Sequence, residues 1–187
     1  MKKYPGRKQK NRNKSRLGKH LEMLIDKTNF QYRQLGVAWV NKIPPPVDII
    51  HRRNTRGPGS RDAKARLRKG YLVDYIGVYK GRGVAFEAKS TKSKTSFPLS
   101  NIVDHQYQFL KNWKKNGGIS FIIVEFYEYK EYYVLSQEQL EEWWFGAYTL
   151  GDRNKSIKIE WFRENCHALS SSDGIILDYA EYLEQVM

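Results

Sequence analysis

Tyr71-Leu72-Val73-Asp74-Tyr75-Ile76-Gly77-Val78-Tyr79-Lys80-Gly81-Arg82-Gly83-Val84-Ala85-Phe86-Glu87-Ala88-Lys89 reads as two strands around a tight turn. Lys80-Gly81-Arg82-Gly83 has turn chemistry, and the runs 71–79 and 84–88 are rich in aromatic, β-branched and aliphatic side chains. If Tyr79 faces Arg82 across the turn, the same antiparallel register sets Asp74 opposite Glu87. Directly opposed side chains on one face lie about 5 Å apart. Lys89, two residues past Glu87, shares that face because strand side chains alternate. Apolar residues precede both acids, which puts them on interior strands rather than at a sheet edge.

Outward from this hairpin the pattern alternates between helix and strand. From Arg16, the spacing of Leu17, Leu21, Leu24, Ile25, Thr28 and Tyr32 predicts a helix, and Gly36–Val40 predicts a short strand. Pro44-Pro45-Pro46 then enforces an extended segment. Residues 51–70 are arginine-rich around Gly57-Pro58-Gly59 and offer almost nothing to bury; so long a basic excursion reads as a projecting arm. Asn101–Asn116 predicts a helix closed by Gly117-Gly118. Ile119–Phe126 and Glu131–Leu135 read as strands, and Ser136 with Gln139 is a capping box for a helix through Phe145. A short helix near Ile159–Asn165 and an amphipathic end at Asp178–Val186 complete an α/β domain around a central mixed sheet.

Two apposed carboxylates repel unless a proton or cation relieves them. A hard dication with oxygen ligands, Mg²⁺ or Mn²⁺, suits the pair Asp74 and Glu87. An adjacent ammonium, Lys89, can then bear on a phosphoryl oxygen or an attacking hydroxide. This chemistry hydrolyses phosphodiesters, since the metal polarises the phosphate and acidifies a bound water. The plainer alternative is a solvated sheet face that happens to carry three charges.

The charge distribution points to a polyanion. The chain of 187 residues holds 33 Lys and Arg against 20 Asp and Glu, a net +13. Residues 1–20 carry nine basic and no acidic side chains, and residues 42–69 nine basic and two acidic. Residues 121–187 invert the balance, with five basic and thirteen acidic. Two focused patches beside an acidic half match nucleic acid better than a uniform solubility coat does. Residues 1–15 lack apolar periodicity and read as a disordered basic arm before one domain over 16–187. The longest uncharged apolar run, Ile119–Val124, is far short of a membrane span, and no secretory signal is visible at the start. One cysteine, Cys166, excludes an internal disulfide and reads as a small buried hydrophobe. These features describe a cytoplasmic, nucleoid-associated protein with no membrane partner.

Asp74, Glu87-Ala88-Lys89 and the helix bearing Gln106 resemble the PD-(D/E)xK nuclease superfamily. Gly77–Arg82, Phe86–Lys89, Lys94-Thr95-Ser96-Phe97-Pro98-Leu99 and Asp104-His105-Gln106 are similar to the RecU family of Holliday-junction resolvases. Gly18-Lys19-His20-Leu21-Glu22, Thr28-Asn29 and Pro44-Pro45-Pro46-Val47 extend the likeness, which runs from about Arg16 to Val186. The resemblance implies a restriction-endonuclease-like fold with a projecting basic stalk, here about 49–70. It implies a homodimeric, Mg²⁺-dependent endonuclease that nicks two opposed strands of a four-way DNA junction during recombination and repair. By position Asp74, Glu87 and Gln106 would bind metal and Lys89 would stabilise the transition state. One departure stands out: two residues before the aspartate the family usually has a threonine, and this chain has Leu72.

Arg16, Lys19, Arg52, Arg53, Arg56, Arg61, Lys64, Arg66, Arg68, Lys92 and Lys94 are the expected DNA contacts, mainly to phosphates. Glu22 reads as a surface ion pair or an additional ligand, and His20 and His105 as structural or substrate-facing. Trp143-Trp144-Phe145, Tyr179 and Tyr182 read as core or as part of a dimer face. A recombination-protein partner fits the acidic C-terminal half. Two rival functions remain open at this point: a non-catalytic nucleic-acid-binding accessory protein, and an endonuclease acting on duplex DNA.

Overall fold

The computed structural model describes residues 10–54, 61–67, 72–151 and 154–187; of 10–16, 49–54, 61–65 and 67 it describes the backbone alone. The elements are α1 (Lys10–Leu35), β1 (Trp39–Lys42), β2 (Val47–Asn54), β3 (Arg61–Leu67), β4 (Tyr75–Tyr79), β5 (Arg82–Thr91) and β6 (Ser96–Pro98). They continue as α2 (Asp104–Lys115), β7 (Ile119–Phe126), β8 (Glu131–Ser136), α3 (Gln137–Phe145), β9 (Ser156–Lys158), α4 (Ile159–Asn165), β10 (His167–Leu169) and α5 (Ala180–Gln185). Six strands form one sheet in the order β1-β4-β5-β7-β8-β10. β5 and β7 run parallel while the other neighbours are antiparallel, so the sheet is mixed.

β7 is buried at all eight positions, as a strand covered on both faces must be. Its alternate residues feed two cores. Phe121 and Ile123 join Leu21, Ile25 and Tyr32 of α1, Phe86 of β5, and Tyr179 and Leu183 near the C-terminus. Ile122 and Val124 join Ala85, Phe97, Tyr107 and Leu110 of α2, Leu140 of α3 and Phe162 of α4. Phe86 stacks between Tyr75 and Phe121, with ring centroids 4.9 and 4.8 Å away. Each such fully buried side chain contributes roughly 1.5–3 kcal/mol. Polar ties lock α1 to the C-terminal segment: the Tyr32 hydroxyl donates to Asp178 and accepts from Tyr179 N and Ala180 N, and Thr28 Oγ1 accepts from Leu177 N. Tyr179 and Tyr182 are therefore core residues, whereas Phe145 is exposed.

Several boundaries differ from the sequence reading. α1 begins at Lys10 rather than Arg16, so it takes in the end of the segment read as a basic arm; residues 1–9 lie outside the description. The first strand of the hairpin starts at Tyr75, not Tyr71, because Asp74 leaves the ladder with β5 while its carbonyl accepts Ile43 N at 2.8 Å. The segment read as a stalk holds β2 and β3, which pair with each other from Val47↔Leu67 to Asn54↔Arg61 and form a sheet of their own. Its glycine-rich centre, with Arg56, and Arg68 beyond it lie outside the described residues. Three short strands, β6, β9 and β10, are additions; β6 and β9 form a two-stranded clasp.

Candidate active site

The turn Lys80-Gly81 fixes the register: Lys80 and Gly81 both have positive φ, the backbone a two-residue hairpin turn demands. The ladder runs from Tyr79↔Arg82 to Tyr75↔Phe86, and one rung on, Asp74 and Glu87 face each other. They cross-bond: Glu87 Oε2 accepts Asp74 N at 3.1 Å, and Asp74 Oδ2 accepts Ala88 N at 3.2 Å. Lys89 donates its ammonium to Glu87 Oε1 at 2.7 Å. Gln106, in the first turn of α2, donates Nε2 to the same oxygen at 2.5 Å. The parallel β5–β7 crossover brings the start of α2 down onto this end of β5.

Burial drives the electrostatics. Glu87 is only 1% exposed. Loss of water pushes its acid up to about 7; the Lys89 ammonium pulls against this and the Asp74 carboxylate adds to it. The single Lys89 ammonium does not offset burial and the facing Asp74, and an oxygen-binding dication is the kind of group that would. Asp74 and Glu87 provide hard oxygen donors that fit. Gln106 is arranged otherwise: its Oε1 accepts Val103 N at 3.1 Å, capping its own helix, while its amide NH₂ faces Glu87. Ligation by Gln106 needs that oxygen turned towards the carboxylates.

A cleft of about 530 Å³ opens beside Lys89, lined by Leu17 and Gly18 of α1, Ala88–Lys92 of β5 and its exit, Pro98 and Asn101. Lys92 and Lys94 are exposed next to it, with the Lys92 ammonium 5.9 Å from the Tyr127 ring centroid. Lys19 faces a different cleft, shared with Glu22, Asp26 and Lys42. Glu22 makes an ion pair with Lys42 at 2.7 Å. Partial burial works against the Lys42 ammonium, yet Glu22, with Asp26 and Asp74 beyond, holds its pKa above the usual value. Arg66 is exposed on β3 across from Asp48. The side chains of Arg16, Arg52, Arg53, Arg61 and Lys64 lie outside the description. Leu72 is 47% exposed.

One buried carboxylate escaped the sequence reading. Glu125 on β7 is fully buried and points to the sheet face opposite Glu87; it accepts from Ser90 Oγ at 2.5 Å and bonds His20 Nδ1 at 2.8 Å. His20 is thus structural, tying α1 to β5 and β7. A charged residue inside the apolar run of a central strand was the available signal. Cys166 is half-buried, and burial pushes its thiol up to about 12.

Two facing carboxylates and a lysine thus sit on adjacent interior strands of a central mixed sheet flanked by helices. The family model described as Recombination protein U matches residues 16–185, and the chain belongs to the RecU family. Relatives named Holliday junction resolvase RecU include that of Bacillus licheniformis, 35% identical over 95% of this chain and 88% of the relative. That of Bacillus subtilis is 33% identical over 92% and 82%. A solved structure of Hjc, a Holliday junction resolvase from Archaeoglobus fulgidus, covers 80% of this chain and 92% of its own at 11% identity, with a TM-score of 0.41.

Proposed function

We propose that this chain is a Holliday-junction-resolving endonuclease that uses Mg²⁺, with Mn²⁺ as a substitute, and acts as a homodimer to nick two opposed strands. The reading is carried by the convergence of Asp74, Glu87, Lys89 and Gln106 at one end of β5, in a chain of the RecU family. Asp74 and Glu87 would hold the metal. When bound, it supplies polarisation of the scissile phosphate and a water acidified enough to attack. Lys89, directed inward to Glu87, stabilises the negative charge that gathers on the phosphoryl oxygens. Gln106 braces Glu87 through its amide and, by turning it, can add an oxygen ligand. Lys92, Lys94 and the basic side chains of α1 and the β2–β3 hairpin hold the DNA arms through phosphates, so shape rather than sequence is read. A two-fold pair of sites matches the two equivalent strands of a four-way junction. Among the described residues no helix is long and apolar enough to cross a membrane, and such a substrate puts the work at the nucleoid.

The test is cleavage of a labelled four-way junction and of the matching linear duplex, in Mg²⁺ and in EDTA. Paired symmetric nicks on the junction alone, absent in EDTA and with Asp74→Asn, are expected. Tight junction binding without cleavage in either metal would make the chain an accessory binder. Equal cutting of the linear duplex would make it a duplex endonuclease.

A further inference from the structure

The acidic C-terminal half of the chain sets two lysines beside the basic segment 92–96, and the fold does this through the clasp. β6 and β9 pair antiparallel from Ser96↔Lys158 to Pro98↔Ser156. Phe97 and Ile157 turn into the core at full burial, which leaves Ser96 and Lys158 on the outer side. Two further backbone bonds fix the frame: Leu99 N donates to Lys155 O and Ile159 N to Thr95 O, both at 3.0 Å. An open cleft of about 600 Å³ results, lined by Thr95, Ser96, Asn154, Lys155 and Lys158, with Ser156 and one carboxylate, Glu160. Lys155 is exposed, with its ammonium 5.1 Å from the Tyr148 ring centroid. Pro98, the last residue of β6, also lines the cleft that Lys89 and Lys92 share. Between the two clefts, residues 92–101 contain no acid.

We propose that the clasp is a second phosphate-contact surface, on which Lys155 and Lys158 grip the backbone of the duplex arm that leaves the catalytic cleft. The inference rests on the nuclease reading, because it takes the arm's path from the position of Lys89. Two ammonium groups and the hydroxyls of Thr95, Ser96 and Ser156 suit phosphate oxygens. Lys94, exposed on the same segment, continues the positive track from Lys92.

Counterion release gives the readout: each phosphate neutralised on duplex DNA steepens the dependence of log binding constant on log salt by about 0.9. Binding of a four-way junction is titrated from low to moderate salt in EDTA for wild type, for Lys155→Ala/Lys158→Ala and for Lys155→Arg/Lys158→Arg. The control is Lys111→Ala/Lys114→Ala, which removes the same charge from helix positions paired with Glu141 and Glu138. The clasp alanine pair should flatten the slope by roughly 1.8, with the arginine pair and the control close to wild type. A wild-type slope in the clasp alanine pair, or an equal flattening in the control, overturns the proposal. Junction cleavage by wild type in Mg²⁺ separates the two failures. With cleavage present and the slope unchanged, the nuclease stands and the clasp contact falls; with neither binding nor cleavage, both fall.

Discussion

Glu87→Gln isolates the electrostatic burden at the site. An acid held at about 7 instead of its ordinary 4.5 costs about 3 kcal/mol once ionised, at roughly 1.4 kcal/mol per tenfold change in the proton equilibrium. The sign follows from proton counting. The folded-state value lies above the unfolded one, so between these values the folded protein binds more protons and stability falls as pH rises. From pH 5 to pH 8 this group alone removes roughly 2–3 kcal/mol from the metal-free protein. Glutamine keeps the shape and cannot ionise, so its variant lacks that loss. Urea unfolding of both proteins in EDTA at pH 5 and pH 8 gives the comparison, since all other titrating groups cancel between them. The stability of Glu87→Gln relative to wild type should improve by that amount across the interval. Added Mg²⁺ at pH 8 should raise the wild-type midpoint and leave the variant's unmoved. A relative stability constant to within about 0.5 kcal/mol between the two pH values would refute a buried, under-compensated carboxylate.

Further outcomes follow from neighbouring contacts. Lys89→Ala should lower single-turnover junction cleavage by about 10²–10³-fold with binding retained, the scale expected for one donor to a developing anion. Glu125→Ala orphans Ser90 Oγ inside the sheet and should cost about 1–3 kcal/mol in denaturant unfolding, yet leave cleavage measurable, because Glu125 faces away from Glu87. Gly118→Ala would set a Cβ 2.3 Å from Trp113 Nε1, whose N–H donates to Gly83 O at 3.2 Å. It should lower the thermal midpoint through about 1–3 kcal/mol of overpacking, with Mg²⁺ response intact.

The central hairpin was legible because a two-residue turn leaves one register, and one register decides which residues meet: Asp74 reached Glu87 by counting alone. The helix ends at Gly117 and at Ser136 with Gln139 were equally local signals. Gln106 was different. Its contact with Glu87 spans the β5–α2 crossover, which no periodicity encodes, so only the family likeness singled it out. The clasp strands have three residues each and pair across some sixty positions of chain, too short for alternation to register. Lys155 and Lys158 were thus counted with the acidic half, although pairing sets them beside the basic segment 92–96. In β3, Ala63, Ala65 and Leu67 do alternate with Lys64 and Arg66, but the arginine content masked the strand.

The β2–β3 hairpin leaves and rejoins the main sheet at neighbouring rungs. Lys42, the last residue of β1, pairs with Tyr75, the first of β4, and Ile43 bonds Asp74 just outside them. In topological terms β1 and β4 are one hairpin whose turn has been expanded into an appendage. A short loop could close the same gap, since the two ends already lie a strand's width apart. The main sheet and the appendage are therefore separable parts, and lineages could lengthen, shorten or replace the appendage without disturbing a single rung of the sheet that holds Asp74 and Glu87.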